Sequence, residues 1–232
     1  MPLHEMLKRN CIIDTSLLSN FVFTGYAHLL EKLVNGPVLI SPAVLEPSEI
    51  ILPINHAIAP RCEFLKPLHE IHGLFSEKYK AAAPFIESFA SSEGKLWQPI
   101  ELTEAELFLA RRMRLREIWK ETKDVEPRFT KRGLGAGEAE ACAVAVKRNW
   151  TLLIDDQPAI ELLRGLGHSV PHVRTCKLLK HAVERDHIPC EEAMHLFNRE
   201  IVDRFGFHAT RSKGAERLWF RCNPPGCIWD AA

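Results

Sequence analysis

Residues 135–156 read Gly135-Ala136-Gly137-Glu138-Ala139-Glu140-Ala141-Cys142-Ala143-Val144-Ala145-Val146-Lys147-Arg148-Asn149-Trp150-Thr151-Leu152-Leu153-Ile154-Asp155-Asp156. This stretch decides the fold. Glu138 to Lys147 is Ala-rich and free of Gly and Pro, which makes it a helix. Thr151 to Ile154 is a short apolar run closed by a polar turn, the pattern of a strand buried on both faces. Pro158 then opens a further helix, which stops at Gly165-Leu166-Gly167. A helix leading into a doubly buried strand and out into another helix is the repeating unit of a parallel sheet.

The same grammar holds upstream. Cys11-Ile12-Ile13 is a buried strand bounded by Asn10 and the Asp14-Thr15-Ser16 turn. Leu17 to Val34 reads as one helix, stopped by Asn35-Gly36-Pro37. Val38-Leu39-Ile40 is a second strand, and Ser41-Pro42 supplies an N-cap and first-turn pair for a new helix. Leu96 to Leu102 contains a strand. Thr103-Glu104-Ala105-Glu106 is a capping box whose helix extends to about Glu121. Ser169 to Val173 is a last short strand, followed by helices at 176–186 and 190–205. The predicted fold is therefore three-layer α/β/α around a mostly parallel sheet. From about 54 to 95 the periodicity weakens, and Pro53, Pro60, Pro67 and Pro84 interrupt short helical stretches; this is read as an added helical insertion. Residues 1–208 form one domain, and 209–232 a basic and aromatic C-terminal tail.

Composition narrows the function classes. The 232 residues are 46% apolar and carry 30 basic and 30 acidic side chains, for a formal net charge of zero. No global field draws the chain to polyanions. Local charge is uneven: Arg111, Arg112, Arg114 and Arg116 crowd one helix, Lys131 and Arg132 precede the Gly-rich turn, and further cations load the tail. The seven cysteines, an odd number without framework spacing, point to reduced thiols. No membrane span or secretory signal is read, so the expected location is the cytoplasm.

Five acidic residues end strands or open helices: Asp14, Glu46, Glu138 and the pair Asp155-Asp156. In a parallel sheet the carboxyl ends of the strands line one crevice. Carboxylates gathered there repel one another unless a cation holds them, and an oxygen-only cluster suits magnesium or manganese. Each acid also has a local explanation, as an N-cap or as a first-turn carboxylate favoured by the helix dipole. Glu138 and Glu140 lie about 200° apart round a helix, so at most one faces the crevice. Strand alternation likewise lets one of Asp155 and Asp156 face it squarely; the reading favours Asp156 and keeps both. The Gly135–Gly137 turn lacks the Lys-Ser/Thr of a P-loop, no Gly-x-Ser-x-Gly elbow is present, and no Cys/His set has familiar zinc spacing.

Taken together, Ile12-Ile13-Asp14-Thr15-Ser16, Ser41-Pro42-Ala43-Val44-Leu45-Glu46 and the block from Gly137 through Asp156 to Gly167 resemble the PIN domain, the fold of many metal-dependent ribonucleases including VapC-type toxins. The similarity covers roughly residues 9–52 and 96–207. It implies a divalent-metal-dependent nuclease acting on RNA rather than DNA and leaving a 5′-phosphate. Asp14, Glu46, Glu138 and Asp156 or Asp155 would be its catalytic acids. Asp14, Glu138 and Asp156 would hold Mg2+ or Mn2+, and Ser16, Lys131 and Arg132 would face the substrate. The resemblance also implies an antitoxin protein and a homodimer as partners. The alternative is a PIN-like module that binds nucleic acid or protein without turnover. Pro47 departs from the pattern, because it kinks the turn that should aim Glu46 and leaves Glu49 as a substitute.

Overall fold

The computed structural model describes residues 1–22, 24–45, 49–51, 58–60, 97–122, 133–204, 222–223 and 226–227. Its centre is a five-stranded, wholly parallel sheet. In chain order the strands are β1 (Cys11–Ile13), β2 (Val38–Ile40), β3 (Trp97–Pro99), β4 (Thr151–Leu153) and β5 (His172–Val173), arranged β3-β2-β1-β4-β5. Ile13 pairs in register with Ile40 on one side and Leu153 on the other. The helices are α1 (Leu3–Leu7), α2 (Thr15–Val22), α3 (Ala27–Leu33), α4 (Pro42–Leu45), α5 (Glu104–Met113), α6 (Ala136–Arg148), α7 (Gln157–Gly165), α8 (Thr175–Glu184) and α9 (Cys190–His195). A 3-10 turn covers Arg116–Glu121, and α9 continues as a π-helix over Leu196–Arg204.

Side-chain alternation sorts the strands into two cores. Cys11, Ile13, Val38, Ile40, Leu153 and Val173 pack against α2, α3, α8 and α9. Ile12, Leu39, Leu152 and Ile154 pack against α5, α6 and α7. Both faces of each central strand are therefore covered, which is why these strands are apolar throughout rather than alternating. The expected α/β/α layering is observed.

Three local expectations need correction. Leu17 to Val34 is two helices, not one. Gly25, at φ +80°, ends the first: its N–H bonds the Val22 carbonyl while the Tyr26 N–H bonds Phe21, a Schellman pair that left-handed glycine allows. The helix begun at Thr103 is α-helical only to Met113 and then tightens into the 3-10 turn. Residues 58–60, within the expected helical insertion, form a strand antiparallel to 49–51; the rest of 54–95 lies outside the described residues. In the tail, Cys222–Asn223 and Gly226–Cys227 pair as antiparallel strands. Cys11, Cys142 and Cys176 are free thiols, but Cys190 is disulfide-bonded, since an odd cysteine count excludes complete pairing and not a single bridge.

The capping box at Thr103 is present. Its Oγ1 accepts from the Glu106 N–H at 3.3 Å, and the Glu106 carboxylate accepts from the Thr103 N–H at 2.8 Å. Glu106 also takes a forked pair of bonds from Arg148 at 2.6 and 2.8 Å, tying the start of α5 to the end of α6. Burial alone would raise the Glu106 carboxyl, but Arg148 and the Thr103 donors outweigh it and hold it below the usual range. Glu106→Ala is expected to cost about 2–3 kcal/mol, since it removes a cap and strands a partly buried guanidinium. Because the folded-state pKa is depressed, this contribution exists above the unfolded value and is lost as pH falls through the folded one. Urea midpoints of the two proteins should separate at pH 7 and converge in acid; a constant gap would contradict the assignment.

Candidate functional site at the carboxyl ends of the strands

Asp14 follows directly on β1, Asp155 and Asp156 follow β4 at a remove of one residue, and Glu138 stands in the first turn of α6. Asp14 extends β1 by one residue, its N–H bonding the Leu153 carbonyl at 3.0 Å. Its side chain is fully buried. Oδ1 accepts from the Leu17 N–H at 2.8 Å, capping α2, and Oδ2 accepts a short bond from Ser16 Oγ. Burial pushes the Asp14 carboxyl well above its ordinary range against the pull of those two donors, and the charges of Asp155 and Glu138 push it the same way. The thiol of Cys142, one turn beyond Glu138, is raised first by burial and then by Asp14, Glu138 and Asp156.

The start of α6 reaches this region by close packing. A Cβ on Gly137 would stand 2.4 Å from Thr15 Oγ1 and 3.0 Å from Val44 Cγ2, so only glycine lets the helix end lie against the β1–α2 turn. Glu138 bends back to accept the Gly135 N–H at 2.8 Å. Glu140 points elsewhere, accepting the Ala43 N–H at 2.8 Å. It therefore caps α4 from another helix, the part that the sequence assigns to Ser41. The Ser41 hydroxyl itself is buried and has no hydrogen-bond partner among the described residues. The Ile13–Ile40 register sets Ser41 beside Asp14 at the strand ends.

Asp155 and Asp156 divide as alternation requires, one inward and one at the helix start. Asp156 is half-buried and caps α7, its Oδ1 accepting from the Ala159 N–H at 2.7 Å. Asp155 is buried and turns to the α2/α8 side. Its Oδ1 accepts the Thr175 N–H at 2.9 Å, and its Oδ2 accepts Asn20 Nδ2 at 3.0 Å and a short bond from Thr175 Oγ1. Arg174 adds its Nε at 3.9 Å from Oδ1. Burial raises this carboxyl, and Thr175, Arg174 and Asn20 oppose it.

Asn20, Thr175 and Arg174 are absent from the sequence-based site. Asn20 had a signal: it is a lone amide in the buried stripe Leu17-Leu18-Asn20-Phe21, and a buried amide requires a partner. Glu46, Lys131 and Arg132 lie outside the described residues, as does Pro47, and no side-chain position is described for Glu49. Among the described residues no three His, Cys, Asp or Glu side chains form a group that could hold a metal ion. No helix there is long and apolar enough to cross a membrane. Comparison with protein-family models, curated proteins and solved structures gives no match to this chain.

Proposed function

We propose that this chain is a PIN-like, divalent-metal-dependent nuclease that hydrolyses phosphodiester bonds in RNA. The observation that carries the reading is the buried Asp14, flanked at the strand ends by the charges of Asp155 and Glu138. Folding like charges into one place opposes stability, and a bound cation is the direct remedy. The unpartnered Ser41 hydroxyl beside Asp14 is a second sign of a missing ligand.

An all-oxygen donor set suits Mg2+ or Mn2+ in its chemistry. Asp14, Glu138 and Asp156 would hold the ion, with Glu46 as a further acid. As the side chains stand they do not close a three-ligand group, and each accepts a backbone N–H with one oxygen. On this reading Glu138 would turn from the Gly135 N–H towards the ion. The ion, when bound, would neutralise charge on the scissile phosphate and supply an acidified water. The chain's own part is to fix Asp14 through Ser16 and Leu17, and to seat the β4 end through Asp155. As a nuclease of toxin type it would pair with an antitoxin and form a homodimer.

The test is cleavage of mixed structured and unstructured RNAs with added magnesium or manganese, with and without chelator. Wild type should cut only with the ion, and Asp14→Asn should not cut. Full activity in that variant, or in chelator, ends the proposal. A second reading is favoured by the unclosed ligand group: a PIN-like module that binds without turnover. It predicts no cleavage under any of these conditions and no effect of the ion on stability.

A further inference from the structure

The arginine-rich end of α5 lies beside the acidic crevice. Arg148, at the far end of α6, bonds Glu106 and the Glu101 carbonyl, so α5 starts where α6 finishes and the two run antiparallel. At the other end the Leu134 N–H bonds the Met113 carbonyl at 3.0 Å, and a Cβ on Gly133 would strike the Arg114 carbonyl at 1.8 Å. Three residues on, Gly137 packs against Thr15. Arg111 to Arg116 are thereby brought to the entrance of the helix that carries Glu138.

That end is cationic and also apolar. Residues 111–121 hold Arg111, Arg112, Arg114, Arg116 and Lys120 against Glu117 and Glu121. Arg112 engages Glu121 at 2.5 Å, while Arg111, Arg114 and Arg116 are exposed and meet no carboxylate among the described residues. Phe108 and Leu115 are 64% and 55% exposed. The spacing 108, 111, 112 puts Phe108 on one face of α5 with Arg111 and Arg112, and Leu115 follows in the extended link that leads into the 3-10 turn. An exposed ring among guanidinium groups matches the needs of an unpaired nucleotide strand, which offers base faces for stacking and phosphates for pairing. A duplex hides its base faces and would use only the charge.

We infer that the carboxyl end of α5 and the start of the following 3-10 turn, which bring Phe108, Arg111, Arg114 and Arg116 together, bind single-stranded RNA beside the carboxylate crevice. The inference rests on the nuclease reading for its substrate and supplies its strand preference.

The experiment is fluorescence anisotropy in chelator, where nothing is cut, using a short unstructured oligoribonucleotide and its duplex. Wild type should favour the single strand. Phe108→Ala should weaken single-strand binding about tenfold and leave duplex binding unchanged, and Phe108→Tyr should restore it. Arg111→Gln/Arg114→Gln/Arg116→Gln should weaken both and lower the log–log salt slope by about 2 for the single strand. Equal single-strand affinity across these proteins, or a preference for duplex, overturns the inference. Because binding is read without turnover, a protein that never cuts can still pass. One that cuts with unaltered binding in the variants fails this inference alone.

Discussion

Replacing Asp155 by Ala should destabilise the protein by about 3 kcal/mol, the largest stability loss expected from any single acid at the strand ends. The cost comes from what the carboxylate leaves behind. The Thr175 N–H, the Thr175 hydroxyl and Asn20 Nδ2 all point at its two oxygens inside the protein. A buried donor left unsatisfied costs roughly 1–3 kcal/mol, and three sharing one vacancy do not add fully. Arg174 also loses the charge it lies against. Asp155→Asn should be milder, since one oxygen survives and the Asn20 amide can turn to offer its own. Urea denaturation at pH 7 measures both: the midpoint should fall with little change in slope, further for Ala than for Asn. If Asp155→Ala unfolds within 1 kcal/mol of wild type, Asp155 does not tie β4 to α2 and α8.

That expectation separates two acids the sequence leaves joined. Asp155 and Asp156 are adjacent and chemically alike, and alternation says only that they differ in direction. What distinguishes them is tertiary: Asn20 lies 135 residues before Asp155, and Thr175 lies 20 after it. Partners at such separations leave no local pattern. Glu140 is a similar case, since its bond to Ala43 spans 97 residues, whereas Ser41-Pro42 advertises a cap that its own hydroxyl does not make.

The features that were legible are those set by local chemistry. Short apolar runs closed by Asp or Ser marked the three central strands, because doubly covered strands admit no polar alternation; the edge strands Trp97–Pro99 and His172–Val173 mix polar with apolar positions and carry no such mark. The Thr103 capping box is readable because its two bonds join residues three apart. The break at Gly25 was not, because the apolar pattern continues through it and only the glycine's positive φ turns the chain. Of the candidate site, the placement of Asp14 and the Asp155-Asp156 pair at the carboxyl ends of neighbouring strands follows from parallel topology. The use each makes of its oxygens does not.

Asp14→Asn should abolish metal-dependent cleavage while making the metal-free protein more heat-stable at neutral pH. Wild-type Asp14 is fully buried, with its folded-state pKa well above the unfolded value. Between those values the folded chain binds more protons than the unfolded one, so stability falls as pH rises through the window. The favourable state is complete below the unfolded pKa and lost above the folded one. Asn carries no charge at any pH and keeps an oxygen for the Leu17 N–H, so it deletes the slope and retains the cap. Melting temperatures of the two proteins in chelator should coincide near pH 4 and separate by pH 7–8. For a chain of this size about 1 kcal/mol is worth 2–4 °C. Millimolar magnesium or manganese should then raise the wild type towards the variant and leave the variant unmoved, because the ion relieves in one what substitution has removed in the other. Identical melting of both proteins across this pH range, with no response to either ion, would mean that the acids at the strand ends do not strain the fold, and the case for a cation among them would fall with it.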